Sequence, residues 1–121
     1  MPICQYGDAM KAVLGWVRSD DIQIEVRIGG GLNERIDVID TANATAYEMK
    51  VSSSNPHHEF YKDIFKVIIY NQHHTDTLKH FVFITGEKGA QKLNEGLGEA
   101  VQQYMANHEL NIKVKGIKET N

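Results

Sequence analysis

Three short runs of alternating apolar and polar residues, divided by turn formers, constrain this chain more than any other feature. Ile22, Ile24, Val26 and Ile28 alternate with Gln23, Glu25 and Arg27, the period of two expected of a strand with one face buried. Gly29-Gly30-Gly31 ends that run, and Asn33 sits in the turn before Arg35 to Asp40. Thr41-Ala42-Asn43 then leads to a third run, Ala44 to Val51. Connections this short join antiparallel neighbours, so the region predicts a three-stranded meander.

Helical spacing takes over on either side. Met10, Val13, Leu14 and Val17 predict an amphipathic helix from Gly7 to Arg18. After the break at Ser52-Ser53-Ser54-Asn55, Ser54 or Asn55 can cap a helix that begins near Pro56, with Glu59 in its first turn. That helix runs to about Gln72. Its apolar residues (Phe60, Tyr61, Ile64, Phe65, Val67, Ile68 and Ile69) spread widely enough to predict a largely buried element. Phe81-Val82-Phe83-Ile84 is continuously apolar, as an interior parallel strand requires. A last helix is predicted from Gly89 to Asn107, carrying Leu93, Leu97, Ala100, Val101 and Tyr104. Gly96 and Gly98 weaken it by about 1 kcal/mol each relative to alanine. Leu110, Ile112 and Val114 alternate with Asn111, Lys113 and Lys115 in a run that reads as a lysine-protected edge strand. The order αβββαβαβ predicts an α/β fold, a mixed central sheet with helices packed on it.

Bulk properties narrow the class. The chain has 121 residues, one domain by length, residues 1–121. Charged residues make up 24% and the net charge is -3, which argues against a strongly basic nucleic-acid binder but leaves room for a local basic strip. Cys4 is the one cysteine, so no internal disulfide forms and a reducing compartment is expected. No apolar run nears the roughly 20 residues of a membrane span, and the N-terminus lacks the pattern of a signal peptide. A soluble cytoplasmic protein is the expectation.

The chemistry-bearing residues lie on the second and third strands. Residues i and i+2 of a strand share a face, so Glu48 and Lys50 point one way and Tyr47, Met49 and Val51 the other. Asp37 shares a face with Ile39 and can lie beside Glu48 if the two strands pair. Two converging carboxylates offer hard oxygens suited to Mg2+ or Mn2+. Lys50 beside them can act on a metal-bound water or on charge developing at phosphorus. This is equipment for metal-dependent phosphodiester hydrolysis.

Arg35-Ile36-Asp37 followed, after ten intervening residues, by Glu48-Met49-Lys50 resembles the signature of the PD-(D/E)XK nuclease superfamily, the restriction-endonuclease-like fold. Its αβββαβ core matches most of the chain, leaving a further helix and edge strand. The resemblance implies a metal-dependent nuclease acting on DNA, with RNA left open. Asp37 and Glu48 would bind Mg2+ or Mn2+, the Met49 carbonyl would complete the shell, and Lys50 would assist catalysis. Ile36 stands where the motif has proline. An accessory acid would be Asp8 or Glu25, and Ser52, Ser53, Lys88 and Lys92 are candidate phosphate contacts. A homodimer would present two sites to a duplex. The alternative is an inactive member of the fold that binds nucleic acid or protein.

Plainer readings stand beside these. Glu48 and Lys50 could be an exposed strand face with a cross-strand ion pair worth about 0.2–1 kcal/mol. Asp40 reads as a turn residue bonding nearby amides. The pairs His57-His58 and His73-His74 lack the spacing of a zinc site and read as surface histidines at helix ends. The Gly29–Gly31 run lacks a phosphate-loop pattern and reads as a flexible hairpin tip.

Overall fold

The computed structural model describes residues 21–50, 56–96, 99–107 and 109–117. The three alternating runs form β1 (Ile22–Arg27), β2 (Arg35–Asp40) and β3 (Thr45–Lys50), followed by α1 (Pro56–His73) and β4 (His80–Gly86). Two further helices, α2 (Glu87–Gly96) and α3 (Glu99–Asn107), precede β5 (Asn111–Ile117). The strands make one sheet in chain order, antiparallel from β1 to β3 and parallel from β3 to β5. The chain is therefore α/β with a five-stranded mixed sheet and three helices among the described residues. The predicted helix at Gly7–Arg18, with Asp8, lies outside the described residues, as do Cys4 and Ser52 to Asn55.

Chain-order stacking of three parallel strands has a geometric consequence. Crossovers of the usual right hand bring both connections over the same sheet face. Phe60, Ile64 and Val67 of α1, Leu93 of α2 and Met105 of α3 accordingly share one buried cluster with Ile39, Ala46, Phe81 and Phe83 of the sheet. Phe60 is fully buried and meets Phe83 edge to face, ring centroids 5.4 Å apart at 87°, a favoured arrangement for the ring quadrupoles. Val38, Met49, Val82 and Ile84 form a second cluster on the opposite face. β4 is apolar on both sides because it feeds both clusters, and β5, as predicted, is an edge with Lys113 exposed. No helix of the described residues is long and apolar enough to cross a membrane.

Two helix expectations need correction. The predicted single helix from Gly89 to Asn107 starts earlier, at Glu87 directly after β4, and is two helices. Glycine is the poorest helix former after proline, and Gly96 closes α2 where a Cβ would come within 2.6 Å of His57 Nε2. Leu97 and Gly98 lie outside the described residues, as do the side chains of Ala100, Val101 and Tyr104. The second correction concerns α1. Its wide apolar stripe does not bury it all round: Tyr61 is 45% and Phe65 56% exposed, whereas the charged Asp63 and Lys66 are buried.

The hairpin tip is also more anchored than its composition suggests. Gly29, Gly30 and Gly31 all have positive φ, and Gly29 and Gly30 pack on the His73 ring at the end of α1. A Cβ on Gly29, at φ +101°, would lie 3.0 Å from His73 Cβ, whereas one on Gly31, at φ +76°, would meet nothing within 4 Å. Both alanine variants carry backbone strain, but only one also displaces α1. Gly29→Ala should therefore cost about 1–3 kcal/mol and Gly31→Ala less, checked by urea midpoints measured side by side. Equal costs would mean that the tip is not seated on the helix.

Candidate acidic site at the opening of the β2–β3 ladder

The β2–β3 register pairs Asp40 with Thr45, Ile39 with Ala46 and Val38 with Tyr47. One step further it would pair Asp37 with Glu48, and there the backbone ladder stops. Side chains replace it: the Asp37 amide donates to Glu48 Oε1 at 2.8 Å, and the Met49 amide donates to Asp37 Oδ2 at 3.0 Å. The predicted neighbours thus meet, each carboxylate holding the other strand's main chain.

The β1–β2 ladder is interrupted at the same level. Its register places Glu25 opposite Asp37, between the pairs Ile24–Val38 and Val26–Ile36. Glu25 has φ +49°, an uncommon conformation for a residue with a Cβ. Across this step the apolar residues change sides. Ile24 and Val38 pack in the cluster opposite the helices, Val26 and Ile36 in the helix-side cluster. Strand alternation does not predict this twist. Glu25 itself is exposed.

The third side of the site comes from α1, and here sequence reasoning missed two residues. Glu48, fully buried, faces Asp63, also fully buried, and Lys66, 7% exposed. The Lys66 ammonium reaches Glu48 Oε1 at 3.0 Å, Asp63 Oδ1 at 3.1 Å and the Arg35 carbonyl at 2.7 Å. Glu48 Oε2 and both carboxylate oxygens of Asp63 are buried without a hydrogen-bond partner among the described residues, Asp63 Oδ1 meeting Lys66 as an ion pair alone. A signal was present in the sequence. Asp63 occupies the i+3 position of the stripe Phe60, Ile64, Val67, which a solvated carboxylate would avoid.

These surroundings set the charges. Burial pushes the Glu48 carboxyl up to about 8, Asp63 and Asp37 add to the rise, and Lys66 with the Asp37 amide opposes it. Burial likewise raises Asp63, against the pull of Lys66 and Lys50. Burial would lower Lys66, but Glu48 and Asp63 outweigh it and hold the ammonium charged above its ordinary range. Two carboxyls thus share one buried cation, which favours keeping a proton on the pair near neutral pH.

The remaining predicted residues divide. Lys50 is half-buried, follows Glu48 by two on the same face, and lies near enough to lower Asp63. Its carbonyl accepts a 2.7 Å hydrogen bond from Thr85 Oγ1. Met49 turns its side chain into the opposite cluster, so only its main chain can serve the site. Lys88 and Lys92 are exposed on α2, which begins at the sheet end where Lys50 pairs with Thr85. Ser52 and Ser53 are outside the described residues. Asp40 does the turn work expected of it, accepting from the Ala42 and Asn43 amides. His74 stacks on Tyr70 with centroids 3.7 Å apart, a packing role.

Among the described residues, no three His, Cys, Asp or Glu side chains group closely enough to hold a metal ion. Mg2+ asks for less, commonly one or two carboxylates with waters filling the rest of its shell. Asp37 and Glu48, with a buried unpartnered oxygen on Glu48, fit that smaller donor set. No protein family, curated protein or solved structure matches this chain.

The raised carboxyls fix the sign of the pH dependence. A group whose folded pKa lies above its unfolded value contributes fully below the unfolded value and loses that contribution as pH rises through the folded one. For Glu48 the window runs from 4.5 to about 8. The urea midpoint of the metal-free protein should fall between pH 5 and pH 8.5, and Glu48→Gln should flatten the slope. Lys66→Met should cost about 3–5 kcal/mol at pH 8.5, where it strands ionised carboxylates, and less at pH 5. A Lys66→Met cost that does not change with pH would mean the three charges are not coupled.

Proposed function

We propose that this protein is a divalent-metal-dependent nuclease that hydrolyses phosphodiester bonds in DNA, with Asp37 and Glu48 as metal ligands and Lys50 as the catalytic cation. One observation carries the reading. Where the β2–β3 ladder opens, the Glu48 carboxylate accepts from the Asp37 amide and the Asp37 carboxylate from the Met49 amide, and the buried Glu48 Oε2 has no hydrogen-bond partner among the described residues. A buried polar oxygen left so is costly, and a cation that displaced the proton would complete it. The resemblance of the Asp37…Glu48-Met49-Lys50 pattern to the PD-(D/E)XK signature supports the same assignment. Mg2+ or Mn2+ bound there would supply Lewis acidity at phosphorus and lower the pKa of a water.

The chain's own residues do the rest. Asp37 and Glu48 hold fixed positions because each is tied to the opposite strand's amide. Lys50 places an ammonium beside them, able to stabilise charge on the phosphate oxygens in the transition state. Lys66 sits behind Glu48 and pulls its pKa down against burial, so it positions and tunes the ligand and does not touch substrate. Lys88, at the same end of the sheet, is suited to a phosphate farther along the strand. In a homodimer two such sites would face the two strands of a duplex.

The second reading is a non-catalytic binding module of the same architecture. Lys66 favours it, because an ammonium 3.0 Å from Glu48 already supplies the cluster with a cation. Calorimetric titration with Mn2+ beside a plasmid cleavage assay separates the two. On the nuclease reading Glu48→Ala loses metal and cleavage, whereas Lys50→Ala keeps metal and loses cleavage by about 10²-fold or more. Metal affinity should rise with pH toward about 8, as the Glu48 proton is displaced. Wild-type protein that takes up no Mn2+ and leaves DNA intact belongs to the second reading.

A further inference from the structure

On the face opposite the helices, three cross-strand rows are stacked along the parallel part of the sheet. They run Thr45–His80–Asn111, Tyr47–Val82–Lys113 and Met49–Ile84–Lys115. Together with the Asn43 turn, residues of these rows line a groove of about 570 Å³. Ligand sites for small molecules commonly span about 300–1,000 Å³. The acidic cluster is on the other face, so this groove has no part in the nuclease reading.

The side chains in the groove form three kinds of surface. Tyr47 gives a half-buried aromatic ring seated against the Val38, Met49, Val82 and Ile84 cluster. Lys113 and Lys115 have no ion-pair partner among the described residues. Asn111, His80 and Asn43 supply amide and imidazole groups. The Asn111 amide donates to His80 Nδ1 at 3.4 Å, which leaves Nε2 as the donor of a neutral ring. Asn43 Nδ2 donates to Asp40 Oδ2 at 2.7 Å, and its amide oxygen is an acceptor. Asp40 is committed to that turn, so its charge is partly met before any ligand arrives.

We infer that this groove binds a nucleoside phosphate, with the base against Tyr47 and the phosphate between Lys113 and Lys115. The spacing carries the assignment. Tyr47 and Lys113 sit in one row two strands apart, about 9–10 Å at the usual strand separation, a span that base, ribose and phosphate together cover. Aromatic faces take any base, and asparagine amides match the donor and acceptor edges of one. A bare anion would leave the ring and amides unused, and a neutral aromatic would leave both ammonium groups unused.

The test is a titration of the wild-type chain, in EDTA, with AMP, GMP, CMP and UMP, followed by amide chemical shifts. At least one nucleotide should saturate the signals of residues 47, 80, 111 and 113. Adenosine and inorganic phosphate should each bind at least roughly tenfold more weakly than the nucleotide. The double variant Lys113→Ala/Lys115→Ala, at positions exposed or half-exposed, should lose roughly tenfold or more, as should Tyr47→Leu. Lys62→Ala, exposed on α1 on the other side of the sheet, should bind as wild type does. An oligodeoxyadenylate that binds more tightly than AMP, and is equally sensitive to the two lysines, would place the nucleotide within a strand and support the site. Absence of saturation by all four nucleotides at millimolar concentration overturns it. So does nucleotide binding indifferent to Lys113 and Lys115, or phosphate alone binding as well as AMP.

Discussion

One ammonium group joins the sheet to the helix layer. Lys66 Nζ contacts the Arg35 carbonyl on β2, the Glu48 carboxylate on β3 and the Asp63 carboxylate on its own helix. The ammonium thus meets one carbonyl and two carboxylates, and Lys66 as a whole is only 7% exposed. Burying a charge is costly unless its attractions are well satisfied. Here one cation is satisfied by two anions, and the surplus falls on the anions. Burial is the larger cause of the raised pKa of Glu48, and this surplus of negative charge, through Asp63 and Asp37, adds to it. Replacing such a buried ionic cluster by well-packed apolar residues is often neutral or even stabilising, so the cluster by itself is weak evidence of a stabilising role.

The fold was largely legible because its constraints are local. Period-two alternation fixed β1 to β3 within a residue or two of their observed ends, since short turns leave few ways to pair them. The apolar run at Phe81–Ile84 marked an interior strand because a parallel strand covered on both faces has no polar side to show. What local pattern could not reveal was where regularity fails. Glu25 and Asp37 break the alternation together, and that break is a property of the paired strands.

The site was legible by halves for the same reason. Asp37 and Glu48 lie on neighbouring strands of a meander, so parity and turn length bring them together. Asp63 and Lys66 arrive from a helix whose rotation over the sheet depends on tertiary packing. Their spacing of three resembles an ordinary surface ion pair, which is why Lys66 passed unnoticed. Tyr61 and Phe65 carry the reverse lesson, being apolar residues that packing left outside.

The exchange of hydrogen bonds at the ladder opening has a spectroscopic consequence. The Asp37 and Met49 amides are bonded to carboxylate oxygens where their strand neighbours are bonded to carbonyls. A carboxylate changes its acceptor strength when it gains a proton or a cation, and a backbone carbonyl does not. Nitrogen and proton resonances of these two amides are therefore built-in reporters of the ionic state of Glu48 and Asp37. They are readable in uniformly 15N-labelled protein, without altering a residue.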